Sequence, residues 1–319
     1  MIIYNSIEEF HSKSIDRTIL TQGTFDGVHL GHRRILDRMN ELAALNNAQS
    51  ALLTFEPHPR LVIYGNTDGL QLLSTPEEKI KLLRQAGVKN LIIHPFTMDL
   101  AHLTPADYIH KILAAKLHAR FVVTGHDHRF GNNRKGNIND LKQCGKSLGF
   151  TVEEIAPLQI ENITVSSTKI REAISAGNMQ LANALLGYNY SIHAKVVYGK
   201  QLGAALGYPT ANLEIAVDIG RTESALNRKH IPADGIYAVH VRYEEKNYKG
   251  MMNIGNNPTI KNKGRSMEVH IFDFHSNIYN KLITVEFIKR IRDELKFDTL
   301  DELKNQLDKD KEAVLTVLK

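Results

Sequence analysis

The chain has 319 residues, 24% charged and 42% hydrophobic, with a formal net charge of +5. This is ordinary globular composition with room for two domains at about 150 residues each, which excludes extensive disorder and a polybasic nucleic-acid arm. Cys144 is the only cysteine, ruling out an intramolecular disulfide framework or a multi-cysteine zinc site. There is no run of about 18 apolar residues and no basic segment followed by a long apolar one, so a soluble, cytoplasmic protein is expected.

Ile2-Ile3-Tyr4 and Ile19-Leu20 read as short strands, and Arg33 to Met39 carries apolar residues at helical spacing. Strand-like runs then alternate with helical stretches: Ala51 to Phe55, Pro76 to Ala86, Asn90 to His94, Pro105 to Leu117, Arg120 to Thr124, Asn139 to Leu148 and Phe150 to Val152. Repeated βα units predict a doubly wound α/β fold with a parallel sheet, whose ligands bind beyond the carboxyl ends of the strands. Ala173 to Leu186 reads as a helix, and the texture changes after Gly187. Ile192 to Tyr198, Gly235 to Val241 and Met267 to Phe272 alternate as strands. From Thr299, the apolar stripe Leu300, Leu303, Leu307, Val314, Leu315 and Leu318 predicts one terminal helix. The expected division is an α/β domain over 1–187 and a β-rich domain over 188–319.

Gly23-Thr24-Phe25-Asp26-Gly27-Val28-His29-Leu30-Gly31-His32 falls at the first strand-to-helix turn. Glycines there let backbone amides approach a phosphate, and the helix N-terminus adds partial positive charge. His29 and His32 could steady a triphosphate during attack; the same pattern also suits a turn that only closes a sheet and caps a helix. Thr54-Phe55-Glu56-Pro57-His58-Pro59-Arg60 predicts a stiff loop forming a pocket wall. Gly125-His126-Asp127-His128-Arg129-Phe130-Gly131, continuing to Gly136, offers Asp127 for a ribityl hydroxyl or a metal-bound water, Phe130 for ring stacking and Arg134 for phosphate. In Val165-Ser166-Ser167-Thr168-Lys169-Ile170-Arg171, Ser167 and Thr168 can donate to phosphate at a helix start while Arg171 adds charge.

Together these segments resemble the nucleotidylyltransferase superfamily. His29-Leu30-Gly31-His32 is similar to its HxGH signature, and Ser166 to Arg171 to its I-S-S-T-x-I-R segment. Gly23 to His29, the Pro57-His58-Pro59 segment and the 125–131 segment resemble the prokaryotic FAD synthetase branch; the last departs from it at His128, where a phenylalanine is common. The resemblance implies a Rossmann-like domain. In it Gly23, Thr24, Asp26, Gly31, Ser167 and Thr168 bind ATP, His29, His32 and Arg171 stabilise charge, and His58, Asp127 and Phe130 meet the flavin.

In the second half, Gly207-Tyr208-Pro209-Thr210-Ala211-Asn212 puts a hydroxyl and an amide one residue apart. On extended backbone both face one side, where they could join ATP phosphate oxygens around one Mg²⁺. Glu268, in Met267-Glu268-Val269-His270-Ile271-Phe272-Asp273-Phe274, is a carboxylate on a strand and a candidate general base. These two segments resemble the G-F-P-T-A-N and E-x-H-I-x-D-F segments of riboflavin kinases. Asn253-Ile254-Gly255, continuing to Thr259, and Arg292-Asp293-Glu294, continuing to Phe297, resemble that family's N-I-G-x-x-P-T and R-x-E-x-K-F segments. The implied kinase domain is a β-barrel with Glu268 as base, Gly207, Thr210 and Asn212 at ATP and its metal, and Asn253, Arg292 and Phe297 near the flavin.

The chain therefore resembles the prokaryotic bifunctional riboflavin kinase/FAD synthetase family. This implies phosphorylation of riboflavin to FMN and adenylylation of FMN to FAD, with ATP as co-substrate, Mg²⁺ as cofactor and no nucleic-acid or membrane partner; oligomeric state is left open. One rival is a nucleotidylyltransferase for another phosphorylated substrate with a degenerate β domain, against which Thr210, Asn212 and Glu268 are intact. Another is a flavin- or RNA-binding module, against which both His29 and His32 are present.

Overall fold

In the computed structural model the described residues are 1–13, 17–65, 69–199, 203, 206–215, 228–255 and 265–319. Thr259 and residues 200–202 and 204–205 of the glycine-bearing loop lie outside them. The chain divides into two compact units, Met1–Ser167 and Thr168–Lys319.

The first unit runs β1 (Ile2–Tyr4), α1 (Ile7–His11), β2 (Thr18–Gln22), α2 (Leu30–Leu45), β3 (Gln49–Glu56), α3 (Pro59–Tyr64), α4 (Pro76–Gln85), β4 (Asn90–Pro95), α5 (Met98–His102) and α6 (Pro105–Asp107). A π-helical stretch (Tyr108–Ala114), β5 (Ala119–Gly125), α7 (Ile138–Leu148), β6 (Thr151–Ile155), and the short strands β7 (Gln159–Ile160) and β8 (Ile163–Thr164) follow. The sheet order β1-β4-β3-β2-β5-β6 is parallel throughout. Both faces are covered, which explains why the strands read as continuous apolar runs. Ile19, Leu52, Leu91 and Val123 enter one core while Leu20, Leu53, Ile92 and Val122 enter the other.

Helix starts follow the capping rules. Thr75 and Glu78 form a reciprocal box with Pro76 in the first turn, and Asn137 and Asp140 form a second box. Two expectations change. His58-Pro59-Arg60 opens a short helix rather than a stiff loop, because Pro59 sits in its first turn and His58 Nδ1 accepts from Arg60 N at 3.2 Å. The expected helix over 105–117 widens after one turn: Ala115 N bonds to His110 O and Leu117 N to Ile112 O, both five residues back.

The second unit begins with α8, which starts at the dividing Ser167 (Ser167–Ser175), and α9 (Met179–Leu186). The expected single helix over 173–186 is broken because Gly177 adopts φ +72° and Asn178 caps the next turn, its Oδ1 accepting from Leu181 N. Six antiparallel strands close a barrel in the order β10-β13-β12-β11-β14-β9. They are β9 (Ser191–Val197), β10 (Ala211–Ile215), β11 (Gly235–Tyr243), β12 (Lys246–Gly255), β13 (Ser266–Ile271) and β14 (Leu282–Arg292).

The terminal helix α10 (Leu300–Val317) is capped by Thr299, as its apolar stripe predicts. It packs Val314, Leu318 and Leu307 on Tyr208, Ala238, Met251 and Phe272. Polar contacts pin it as well: the Tyr208 hydroxyl donates to Asp308, and the Arg292 guanidinium grips Asp310 through Nε–Oδ1 at 2.8 Å and Nη2–Oδ2 at 2.5 Å. Asp310 is only 2% exposed, so removing it strands a partly buried guanidinium. Asp310→Ala is expected to cost the second unit about 3–5 kcal/mol in chemical denaturation; an unchanged midpoint would show that the pair contributes nothing net.

Candidate active sites

In the first unit, β2 lies between β3 and β5, with β3 and β4 added on one side of it and β5 and β6 on the other. That is a switch point, where an α/β sheet opens a crevice beyond its strand ends. The loop 23–29 fills the mouth under strain: Phe25 and Val28 hold φ +47° and +37°, a region side chains avoid. Asp26 locks the loop. Its buried carboxylate accepts from Leu73 N at 2.9 Å and Ser74 N at 3.1 Å, while Gly27 N donates to Ser74 Oγ. Its main-chain oxygen accepts from Ser167 Oγ at 3.2 Å, so two distant motifs meet here. Thr24 O accepts from Thr54 Oγ1, tying in β3, and Gly23 N bonds to Leu53 O.

His29 caps α2, its Nδ1 accepting from His32 N at 3.2 Å. An accepting Nδ1 places the proton of His29 on Nε2. The His29 and His32 rings stack with centroids 3.6 Å apart and planes 13° apart, and Phe25 leans on His32 from 4.6 Å. Gly31 permits the stack, since a Cβ there would come within 3.2 Å of His29 Nδ1. Burial, then the neighbouring His29, holds the His32 pKa well below the ordinary range. The pair can thus offer N–H groups to a phosphate without carrying two charges. His32 Nδ1 is itself buried and without a partner among the described residues.

Phe130 is 7% exposed and belongs to the core, packed near Tyr108; its main chain pairs with Gly136 to close the 130–136 loop. Asp127 is exposed at the turn after β5, and His58 is occupied as a helix cap. The polar side chains Gln22, at the end of β2, and Tyr108, in the π-helical stretch, lie buried against His128. Sequence reading passed over both, although a glutamine ending an apolar strand is the signal that could have found it.

Burial also lowers the His128 pKa to about 4. For His32 and His128 the unfolded chain binds more protons below the ordinary histidine pKa of about 6.5, so the folded unit loses stability as pH falls. The first unit's unfolding midpoint is expected to be level above about pH 6.5 and to decline toward pH 4; a pH-independent midpoint would contradict neutral burial of these rings.

In the second unit, strand register aligns the site. Asn212 on β10 faces Glu268 on β13, which faces Asn253 on β12, and the row continues through Ile236 to Arg292. Directly paired residues share a face of the sheet, so these polar groups form one band. Thr210, just before β10, donates its hydroxyl to Glu268 Oε2 at 3.2 Å. The loop carrying Thr210 is set by Gly207 at φ +84° and by His270 Nδ1, which donates to Pro209 O at 2.7 Å. Asn212 lies over Gly199, where a Cβ would meet its Nδ2 at 1.9 Å. Asn253 Oδ1 is buried with no partner among the described residues.

Gly255 and Glu294 show why two distant motifs go together. A Cβ on Gly255 would meet the Glu294 carboxylate, Oε1 at 1.7 Å, so the glycine leaves room for that carboxylate to lie against the end of β12. Arg292 is engaged with Asp310, Phe297 is half-buried in an irregular stretch, and Thr168 and Arg171 follow on α8 within this unit.

A family model described as FAD synthetase matches residues 11–169, and one described as riboflavin kinase matches residues 186–318. A bifunctional riboflavin kinase/FMN adenylyltransferase of Haemophilus influenzae is 38% identical over 295 residues, covering 92% of each chain. The chain belongs to the bifunctional riboflavin kinase/FMN adenylyltransferase family. Relatives of that name from Buchnera aphidicola (35% identical, 96% of this chain and 94% of the relative) and Escherichia coli (34%, 92% and 90%) agree with the assignment. A Streptococcus pneumoniae crystal structure described as a macrolide-efflux protein superposes with a TM-score of 0.84 at 31% identity, covering 98% of both chains. Among the described residues no helix is long and apolar enough to cross a membrane.

The two matched segments correspond to the parallel α/β unit and the closed barrel. Enzymes of these families use ATP and typically a divalent metal. The donor set of Thr210 hydroxyl and Asn212 amide oxygen beside the Glu268 carboxylate is made of hard oxygens, the kind that suits such an ion.

Proposed function

We propose that the barrel band and the switch-point crevice are the two active sites of this bifunctional enzyme, acting in sequence. In the first reaction the 5′-hydroxyl of riboflavin attacks the γ-phosphorus of ATP, giving FMN and ADP. Glu268 accepts the hydroxyl proton as the O–P bond forms, while the Thr210 hydroxyl, donating to Glu268, orients that carboxylate. Thr210 retains lone pairs for an ion, and with Asn212 it would hold Mg²⁺. Bound there, the ion would supply positive charge to the phosphate oxygens. Gly207 shapes the ATP loop. The orphaned Asn253 Oδ1 suits a donor on riboflavin, and Arg292 and Phe297 border the same ligand.

In the second reaction a phosphate oxygen of FMN attacks the α-phosphorus of ATP and pyrophosphate leaves. No covalent enzyme intermediate is needed, so positioning and charge stabilisation do most of the work. His29 and His32 donate to the phosphate oxygens from the start of α2, with Gly23, Thr24 and Gly31 leaving room for close approach. Asp26 acts by holding the loop in shape. Ser167, Thr168 and Arg171 supply further donors and charge, and His58, Asp127 and Phe130 flank the flavin. The functional boundary falls near Gly187, the substrates are riboflavin, FMN and ATP, and the compartment is the cytoplasm.

The observation that carries this reading is the alignment of Asn212, Glu268 and Asn253 on three adjacent strands with Thr210 bonded to Glu268. Incubating the protein with riboflavin, ATP and Mg²⁺, and separately with FMN, ATP and Mg²⁺, tests it by flavin chromatography. FAD from both starts is expected. FAD from FMN alone would remove the kinase role from the barrel, FMN as sole product from riboflavin would remove adenylylation from the crevice, and no conversion would overturn both.

A further inference from the structure

The end of β2 and the turn after β5 carry a relay of three side chains that the two reactions do not account for. The Tyr108 hydroxyl contacts Gln22 Oε1, and Gln22 Nε2 lies 3.1 Å from His128 Nε2. Gln22 and Tyr108 are 5% and 4% exposed, so their polar groups call for partners inside the fold. A carboxamide oxygen can only accept, which makes the phenol the donor; the carboxamide nitrogen can only donate, which makes His128 Nε2 the acceptor. The one proton of a neutral His128 is therefore on Nδ1.

That nitrogen has no hydrogen-bond partner among the described residues, yet it is not a sealed, buried atom. The ring it belongs to stacks on Phe130 at 5.9 Å and 21°, and Tyr108 lies 5.6 Å from Phe130. Burial lowers the pKa of the ring, and the nearby Asp127 and Arg134 act in opposite senses on it. His128 is thus a neutral donor on a defined nitrogen, stacked on Phe130, in the place where the family resemblance has phenylalanine.

We propose that His128 is a specificity-determining residue for adenylyl transfer, its Nδ1–H donating a hydrogen bond to an acceptor atom of the FMN flavin, with Gln22 and Tyr108 as positioning residues that fix this tautomer. The inference rests on the reading that the β2–β5 crevice takes FMN beside Phe130. A planar ligand with acceptors on its edge matches the donor and the ring stacked beside it.

The test uses the full-length enzyme with specifically labelled histidine. In ¹⁵N spectra of the free protein, His128 is expected to show a protonated Nδ1 and an unprotonated Nε2, and FMN should shift the Nδ1 resonance while ATP alone should not. A protonated Nε2 would overturn the relay. Loss of one neutral hydrogen bond is expected to raise KM for FMN about 3- to 10-fold in His128→Phe, with kcat and KM for ATP changed less than about twofold. Gln22→Leu should move the proton partly to Nε2 and raise KM for FMN, and it should add nothing in the His128→Phe background. Riboflavin phosphorylation serves as the folding control, because Glu268 and Thr210 belong to the other unit. An effect on KM for ATP instead of FMN, or an Nδ1 resonance unmoved by saturating FMN, would overturn the substrate role. Absence of FMN adenylylation in the unmodified enzyme would strike the crevice reading itself, whatever tautomer the spectra report.

Discussion

Glu268→Gln is expected to lower riboflavin phosphorylation by about 10²–10⁴-fold, the range a positioned general base supplies. The substitution keeps the size and hydrogen-bonding reach of the side chain, so the Thr210 hydroxyl can still donate to the remaining carbonyl oxygen. It removes only the capacity to take a proton. The loss should therefore fall on kcat, with KM for riboflavin and ATP little changed. FMN adenylylation should persist, because the histidine pair lies in the other unit. Measuring both activities on one preparation decides the matter. Parallel loss of both in a folded protein would refute independent sites, and retained phosphorylation would move the base elsewhere in the barrel.

His32→Ala is expected to do the reverse, lowering FMN adenylylation by about 10²–10³-fold, the scale of removing one preorganised donor from a charge-stabilising site. The ring stacks on His29 and is braced by Phe25, so truncation also frees His29 to leave its capping position. A cost confined to binding would show in KM, whereas a donor that matters at the transition state shows in kcat. His32→Gln separates these effects: it restores a neutral N–H without the stack, and partial recovery of kcat is the expected outcome. Equal losses in His32→Ala and His32→Gln would mean that ring packing, and not donation, is what adenylylation needs. Riboflavin phosphorylation should stay at its original rate in both variants.

The parallel sheet was legible because strands covered on both faces leave near-continuous apolar runs, as at Ala51 to Phe55 and Asn90 to His94. The β-rich character of the second half was legible from period-two alternation, as in Ile192, Ala194 and Val196 on the buried face, whereas its closure into a barrel was implied only by the resemblance to riboflavin kinases. The break at Gly177 was not, because Ala173 to Leu186 keeps helical periodicity across it and only a positive φ there reveals two helices. The helix after His58 was missed for a similar reason: proline suggests a loop until its place in a first turn is known. Within the sites, spacing proposed Asn212 and the family resemblance implied Glu268 and Asn253, but strand register is what sets them abreast.

By itself the sequence determined the two-part organisation, the strand-to-helix turn carrying His29 and His32, and the segments holding Thr210, Asn212 and Glu268, since periodicity and turn chemistry are local properties of a chain. Only the tertiary structure decided that the Asp26 carboxylate holds Leu73 and Ser74, that Asp310 secures Arg292, and that Gln22 and Tyr108 orient His128. Each of these joins residues far apart in sequence. A buried polar group must find a partner wherever folding brings one within reach, and spacing along the chain carries no record of that choice.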